Sequence, residues 1–346
     1  MLGVRGLLTV AALAATTASW AADLRVPQDY ATIQGAIDAA PPGARIVVAR
    51  GTYYENLMIA KSITLVSRSG AAATTLDGGR IGAVIVARGT GTESVEISGF
   101  TITDGLNLFT TNGPVPGNGS GIHVDSFAAV AITDNVIRDN VGCIGAGIST
   151  AEAAVRIEHN QILNNPQDSS CNGADGGGIA VRGSGSGPSL IASNLIAGHA
   201  IGGYGGGIKI QNADTVIRDN VIRDNVANAG GAIMFDVASG VISDNLLVGN
   251  SAQVGGGMWL VPADDSNHLV VTGNTLLDNQ ATLGGSAIDL VVVTDDGLRM
   301  RGNAITGDSM IELVRCENPF SVSRSNILRN PSGPTIGGSC TFGLIF

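Results

Sequence analysis

Asparagine recurs in this chain behind one short phrase, and that recurrence leaves few folds open. The phrase is a glycine pair or triplet, alternating aliphatics, a polar gap, and an aliphatic-Asn-aliphatic run. Clear copies are Gly205-Gly206-Gly207-Ile208 followed by Ile217-Arg218-Asp219-Asn220-Val221-Ile222, and Gly230-Gly231-Ala232-Ile233 followed by Ile242-Ser243-Asp244-Asn245. The recurring residues are Asn135, Asn160, Asn194, Asn220, Asn245, Asn274, Asn303 and Asn326, spaced by 25, 34, 26, 25, 29, 29 and 23 positions. Self-similarity in this range is the mark of a solenoid, and the apolar-polar alternation inside each copy has the period of a strand. Each copy is therefore one coil of a stacked rod.

A single turn can be laid out residue by residue. Ile208 and Ile210 share one side of a strand and point inward, so Lys209 and Gln211 point out. A polar corner at Asn212-Ala213-Asp214 leads to a second strand ending at Asp219. Asn220 bends the chain into a third, whose Ile222 faces in, and a loop over 225–229 returns to the next glycines. Three strands and three corners per turn follow. Asparagines repeated at one corner can hydrogen-bond along the rod axis at the strand spacing of about 4.8 Å. Such a ladder fixes register. A rod of this kind grows by stacking, so the 346 residues need no second core. The chain has 50 glycines, seven Phe, four Tyr and two Trp, so Ile, Val, Leu and small residues must fill the narrow interior.

Residues 1–21 read as a secretory signal peptide. Arg5 precedes an apolar stretch beginning at Leu7, and Ser19-Trp20-Ala21 supplies the small residues of a cleavage site. The stretch is too short for a good membrane span. The domain proper is then 22–346, exported to the periplasm or the medium. Four cysteines suit that compartment. Cys143 and Cys171 both fall between an Asn phrase and the next glycines, on consecutive turns, and Cys316 and Cys340 lie 24 residues apart, about one turn. Spacing alone leaves three pairings open, and stacking favours 143–171 with 316–340. A formal net charge of −10 argues against nucleic acid as a partner, because phosphate binding needs a dense basic face. Residues 30–40 place Ile33, Ala36, Ile37 and Ala40 on one helical face before Pro41-Pro42-Gly43, which predicts a short N-terminal capping helix. At the far end, 344–346 reads as the closing edge.

The opening of the domain carries a family resemblance. Tyr30-Ala31-Thr32-Ile33-Gln34, Ala36 to Ala40, Ile46-Val47-Val48, Gly51-Thr52-Tyr53 with Glu55, and Lys61-Ser62-Ile63-Thr64-Leu65 resemble the start of pectinesterases and other proteins of the pectin-lyase-like superfamily. The resemblance implies an all-β fold, a single-stranded right-handed parallel β-helix with three strands per turn. It also implies that ligands lie along the outside of the first sheet. The catalytic signatures of pectinesterases, polygalacturonases and alginate epimerases are missing. Asn165-Pro166-Gln167-Asp168 has the shape of the epimerase motif without its histidine. Gly202 to Gly206 lacks the aspartate of calcium-binding nonapeptides, so no cofactor is expected and no motif supports Ca²⁺ or another metal.

Alternation predicts two outward columns on the first sheet. One reads His123, Ser149, Ala180, Lys209, Met234, Trp259, Asp289, Glu312. The other reads Asp125, Ala151, Arg182, Gln211, Asp236, Val261, Val291, Val314. Arg182, Lys209 and Asp236 fall on consecutive turns, and Trp259 offers a flat plate to a sugar ring. His199 and Tyr204 lie in the segment leading to Lys209, bordered by the loop 166–175. These residues suggest a carbohydrate-active protein that binds an acidic polysaccharide and cleaves it by β-elimination. Arg182 would neutralise the uronate, Lys209 would take the proton, and Tyr204 or His199 would protonate the leaving oxygen. Gln211, Asp236, Trp259 and Asp289 would contact substrate. If the protein is an enzyme, a polysaccharide lyase fits better than a glycoside hydrolase. Hydrolysis would call on Asp289 with Glu312, or on Asp236 with Asp289. His123 and Asp125 share a strand face as a polar pair or half of a metal site. The alternative is a non-catalytic, adhesin-like binding rod. A monomer is expected.

Overall fold

The computed structural model describes residues 23–107, 119–171, 173–183, 187–261, 268–291, 298–323 and 325–342. The predicted signal peptide and the closing segment 344–346 lie outside the described residues. The strands form three parallel sheets of eleven strands each, with two further two-stranded pairings. The chain visits the sheets in rotation, so each strand pairs with its counterparts one turn before and one turn after. The strand Ile208–Gln211, for example, aligns Lys209 with Ala180 on one side and Met234 on the other.

The interior is a set of vertical aliphatic stacks. Inside the third sheet, Ile137, Ile162, Ile196, Ile222 and Leu247 are paired turn by turn, and each is fully buried. At about 1.5–3 kcal/mol per buried aliphatic side chain, these stacks supply the main drive for coiling. The predicted helix forms over Ile33–Ala39 and buries Ile33, Ala36 and Ile37 against the first strands. Its first turn is well satisfied: Thr32 accepts from the Gly35 amide, and the Glu55 carboxylate accepts from the amides of Ile33 and Gln34, each at 2.9 Å.

The asparagine ladder is continuous from Asn135 to Asn326. At each step the amide oxygen accepts from both the backbone and side-chain nitrogens of the asparagine one turn earlier. Asn220 Oδ1 accepts from Asn194 N at 2.9 Å and Nδ2 at 3.0 Å, while its own Nδ2 donates to Asn245 Oδ1, Ile191 O and Arg218 O. No polar atom of these buried amides is wasted.

A second ladder runs beside the first, five residues later on the six turns from Asn135 to Asn274: Asn140, Asn165, His199, Asn225, Asn250 and Asn279. Its one exception corrects an expectation. His199 stands where the pattern places asparagine, five after Asn194, and it is fully buried rather than on a loop beside Lys209. Its Nδ1 accepts from the Asn165 amide at 3.1 Å, and its Nε2 donates to Ile162 O at 3.1 Å, which fixes a neutral tautomer. Burial holds the imidazole down at about 4, against an ordinary 6.5. Protonation is therefore costlier in the folded chain than in the unfolded one. The associated stability is present above pH 6.5 and is lost as the pH falls toward 4, by about 3 kcal/mol. His199→Asn should continue the ladder and remove this dependence. Denaturant unfolding of both proteins from pH 7 to pH 4 should show the wild type falling relative to the variant, and parallel pH profiles would contradict it.

Both disulfides join stacked positions, Cys143 with Cys171 and Cys316 with Cys340, at Cα separations of 5.5 and 5.0 Å. The loops they close are moderate, so reduction should cost about 3 kcal/mol each in the chain-entropy picture. Among the described residues no helix is long and apolar enough to cross a membrane.

Candidate functional site on the first sheet

The outer face of the first sheet follows the predicted alternation through its middle turns. Ile208 and Ile210 are buried inside, and Lys209 and Gln211 project outward. The register confirms the column His123, Ser149, Ala180, Lys209, Met234, Trp259, Asp289, and beside it Asp125, Ala151, Arg182, Gln211, Asp236, Val261. The last turn departs from expectation. Asp289 aligns with Arg315 rather than Glu312, and Val314 pairs with Ile288 in the core. No glycine phrase precedes the strand Val314–Val322, so the sequence carried no marker from which to count.

The chain segment entering each strand builds a further short column: Ile144, Asp175, Tyr204, Ala229 and Val254 pair in succession, each just before a glycine. Gly205 takes a left-handed φ of +69°, and a Cβ there would lie 2.4 Å from Ile208 O. The turn that swings Tyr204 onto the face therefore requires glycine. Two turns of this column meet Lys209. Its Nζ lies 2.9 Å from Asp175 Oδ2, and Arg182 Nη2 reaches the same oxygen at 3.0 Å. Asp175 was not singled out from sequence, although its place before Gly176 matches that of Tyr204 before Gly205.

Lys209, outward as it is, is only 6% exposed, because Asp175 and Tyr204 close over it. Its ammonium lies 5.2 Å from the Tyr204 ring centre, a cation–π contact. The Tyr204 ring in turn stacks on Trp259 at 5.7 Å with an interplanar angle of 28°. Met234, between Lys209 and Trp259 in the column, is buried. Tyr204 remains 43% exposed and Trp259 half-buried, so the pair forms a ledge open to solvent. Beside it, Gln211 Nε2 donates to Asp236 Oδ2 at 3.0 Å. The structure thus brings Arg182, Lys209, Tyr204, Gln211, Asp236 and Trp259 onto one face, and sets His199 apart inside the rod.

Asp289 follows Trp259 on the next turn and is fully buried. Neither carboxylate oxygen has a hydrogen-bond partner among the described residues, and Arg315 Nη1 stands 3.5 Å away. Burial pushes its carboxyl up to about 6, with Arg315 opposing and Glu317 and Glu312 reinforcing. At the other end of the face, His123 is buried, contacts Ser149 Oγ at 3.3 Å, and is held down at about 4 by desolvation. Asp125 faces Arg88 at 3.5 Å. Among the described residues no group of three His, Cys, Asp or Glu side chains is placed to hold a metal.

An open cleft of about 560 Å³ lies elsewhere, on the outside of the second sheet, lined by Thr64, Glu96, Ala131, Arg156 and Leu190 among others. Its lining contains no aromatic ring and one residue of each charge sign. The first-sheet face, with stacked rings and convergent polar groups, has the richer recognition chemistry.

The chain belongs to the right-handed β-helix family: the family described as "right handed beta helix region" matches residues 83–276 and 172–342. Among solved structures, it is similar to DFA-IIIase from Arthrobacter chlorophenolicus A6 in complex with GF2. That match has 15% identity and a TM-score of 0.49, covering 86% of this chain and 77% of that one. A cysteine-to-alanine mutant of the same enzyme matches at 18% identity and a TM-score of 0.48, with the same coverage. No curated protein matches the sequence.

Proposed function

We propose that the outer face of the first sheet binds a polysaccharide laid along the rod axis, with Trp259 and Tyr204 receiving sugar rings. The observation that carries this reading is the partly exposed Tyr204–Trp259 stack beside a row of paired polar side chains. Sugar rings present apolar C–H faces to aromatic planes and hydroxyls to charged and amide groups, and the face offers both. Arg182, Gln211, Asp175 and Asp236 supply the donors and acceptors. Adjacent strands repeat every 4.8 Å or so, close to the length of a pyranose unit, so successive turns can meet successive sugars. The partner is thus a carbohydrate, and the two disulfides accord with a secreted or periplasmic protein.

Cleavage by β-elimination is a second reading, favoured by one observation. Lys209 and Arg182 converge on a single carboxylate oxygen, that of Asp175, which a substrate uronate would have to replace. In that reading the uronate displaces Asp175, Arg182 neutralises the substrate carboxylate, Lys209 first releases its own proton to solvent and as the neutral amine takes the proton next to the carboxylate, and Tyr204 protonates the leaving oxygen. His199, buried in its ladder, takes no part. Incubation with pectate, alginate and glycosaminoglycans should then generate the absorbance of unsaturated ends, and Lys209→Met should abolish it. Binding on a glycan array without turnover on any of these polymers would select the non-catalytic rod. Absence of binding to every glycan would overturn the carbohydrate reading itself.

A further inference from the structure

We propose that Asp175 sets the charge specificity of this face, reserving it for neutral, hydroxyl-rich glycans by occupying the cation pair that would otherwise receive a uronate. The inference rests on the carbohydrate-binding reading above, names the class of sugar, and opposes the β-elimination reading, which needs a uronate in the place of Asp175. Three observations carry it.

The anion position formed by Lys209 and Arg182 is already filled. Both cations contact the same Asp175 oxygen, at 2.9 and 3.0 Å, in a setting where Lys209 is almost wholly buried. A uronate could take that place only by displacing a paired carboxylate, and separating charges that are hydrogen-bonded and shielded from water is costly. A neutral sugar faces no such exchange.

Asp175 is also fixed. Its amide donates to Cys143 O at 3.0 Å and its carbonyl accepts from the Gly145 amide at 2.8 Å, so its backbone is stitched to the turn below. The Cys143–Cys171 disulfide ties the same loop four residues earlier. The backbone that carries the carboxylate cannot retreat to admit a competitor.

Finally, the face has no surplus positive charge. Lys209 and Arg182 are matched by Asp175 and Asp236, and the whole chain carries a formal charge of −10. A polyanion would approach against the field of the protein with no local excess of cations to reward it.

Removing one charge should therefore invert the preference. Asp175→Asn keeps the size of the side chain and an acceptor for the two cations, and leaves Lys209 and Arg182 short of one negative charge. Calorimetric titration would use two matched pairs, glucuronate against glucose and pectate against fully methyl-esterified pectin. Wild-type protein should favour the neutral member of each pair. D175N should gain at least about tenfold in affinity for glucuronate, the size expected of one charge-assisted hydrogen bond. Lys209→Met in the D175N background should erase the gain. Wild-type protein that favours pectate or glucuronate, or a folded D175N that gains nothing, would overturn the proposal. If glucuronate binding appears in D175N while neither polymer binds any variant, the charge assignment stands and the polysaccharide reading of the face is what fails.

Discussion

Asn220→Ala is expected to lower the free energy of unfolding by about 3–5 kcal/mol, since the side chain makes five hydrogen bonds in a buried corner, each contributing about 0.5–1.5 kcal/mol. Removal of the Asn220 amide strips the acceptor from Asn194 N and Nδ2 on one side and the donor from Asn245 Oδ1 and Ile191 O on the other. Asn194, Ile191 and Asn245 are buried at the corner, so bulk solvent does not replace the lost bonds. Asn220→Asp should be as severe or worse. A carboxylate still accepts from Asn194 but cannot donate, so it would face Asn245 Oδ1 and Ile191 O as an acceptor against acceptors, with a charge to bury. Denaturant unfolding measures the loss. A cost within about 0.5 kcal/mol, as for an ordinary surface substitution, would show that the ladder contributes no stability.

Trp259→Ala is expected to weaken glycan binding by about 2 kcal/mol, roughly thirtyfold, with little change in stability. The asymmetry follows from where the ring sits. Trp259 points away from the core stacks and is half-buried, so its removal opens no internal cavity, and the stability cost should stay near or below about 1 kcal/mol. For a ligand, its loss removes the broader half of the aromatic ledge and leaves Tyr204 without its stacking partner. Trp259→Phe should retain much of the affinity, because a smaller ring still presents a flat apolar plane. Isothermal titration with the best-binding oligosaccharide, run beside thermal unfolding, separates the two effects. Equal affinity in wild type and W259A would remove Trp259 from the site.

The architecture could be read from sequence because period and alternation are local signals that repeat. One copy, Gly206 to Ile222, suffices to place Ile208 and Ile210 inside and Lys209 outside, and the next copy checks it. The first asparagine ladder was legible for the same reason. The second was not, although each member stands five residues after a member of the first. A lone histidine in that series, His199, looks like chemistry until the spacing is counted. Asp175 escaped for a different physical reason. It follows a long loop, pinned by Cys171, whose length masks the register, and only pairing between turns reveals that it shares a column with Tyr204. The slip between Glu312 and Arg315 has the same origin, a turn that lacks the glycine marker. Ion pairing across turns, as in Asp175 with Lys209, joins residues 34 positions apart and is set by side-chain reach that no local pattern records.

The central claim, that sugars rest on the Tyr204–Trp259 ledge, can be read from the protein's own fluorescence. The chain has two tryptophans, Trp20 and Trp259. With Trp20→Phe, all tryptophan emission comes from the ledge. Titration with neutral oligosaccharides should give a saturable shift in emission with the same midpoint as calorimetric binding. Calorimetric binding that saturates while the emission stays unchanged would place the carbohydrate elsewhere on the rod and contradict the account.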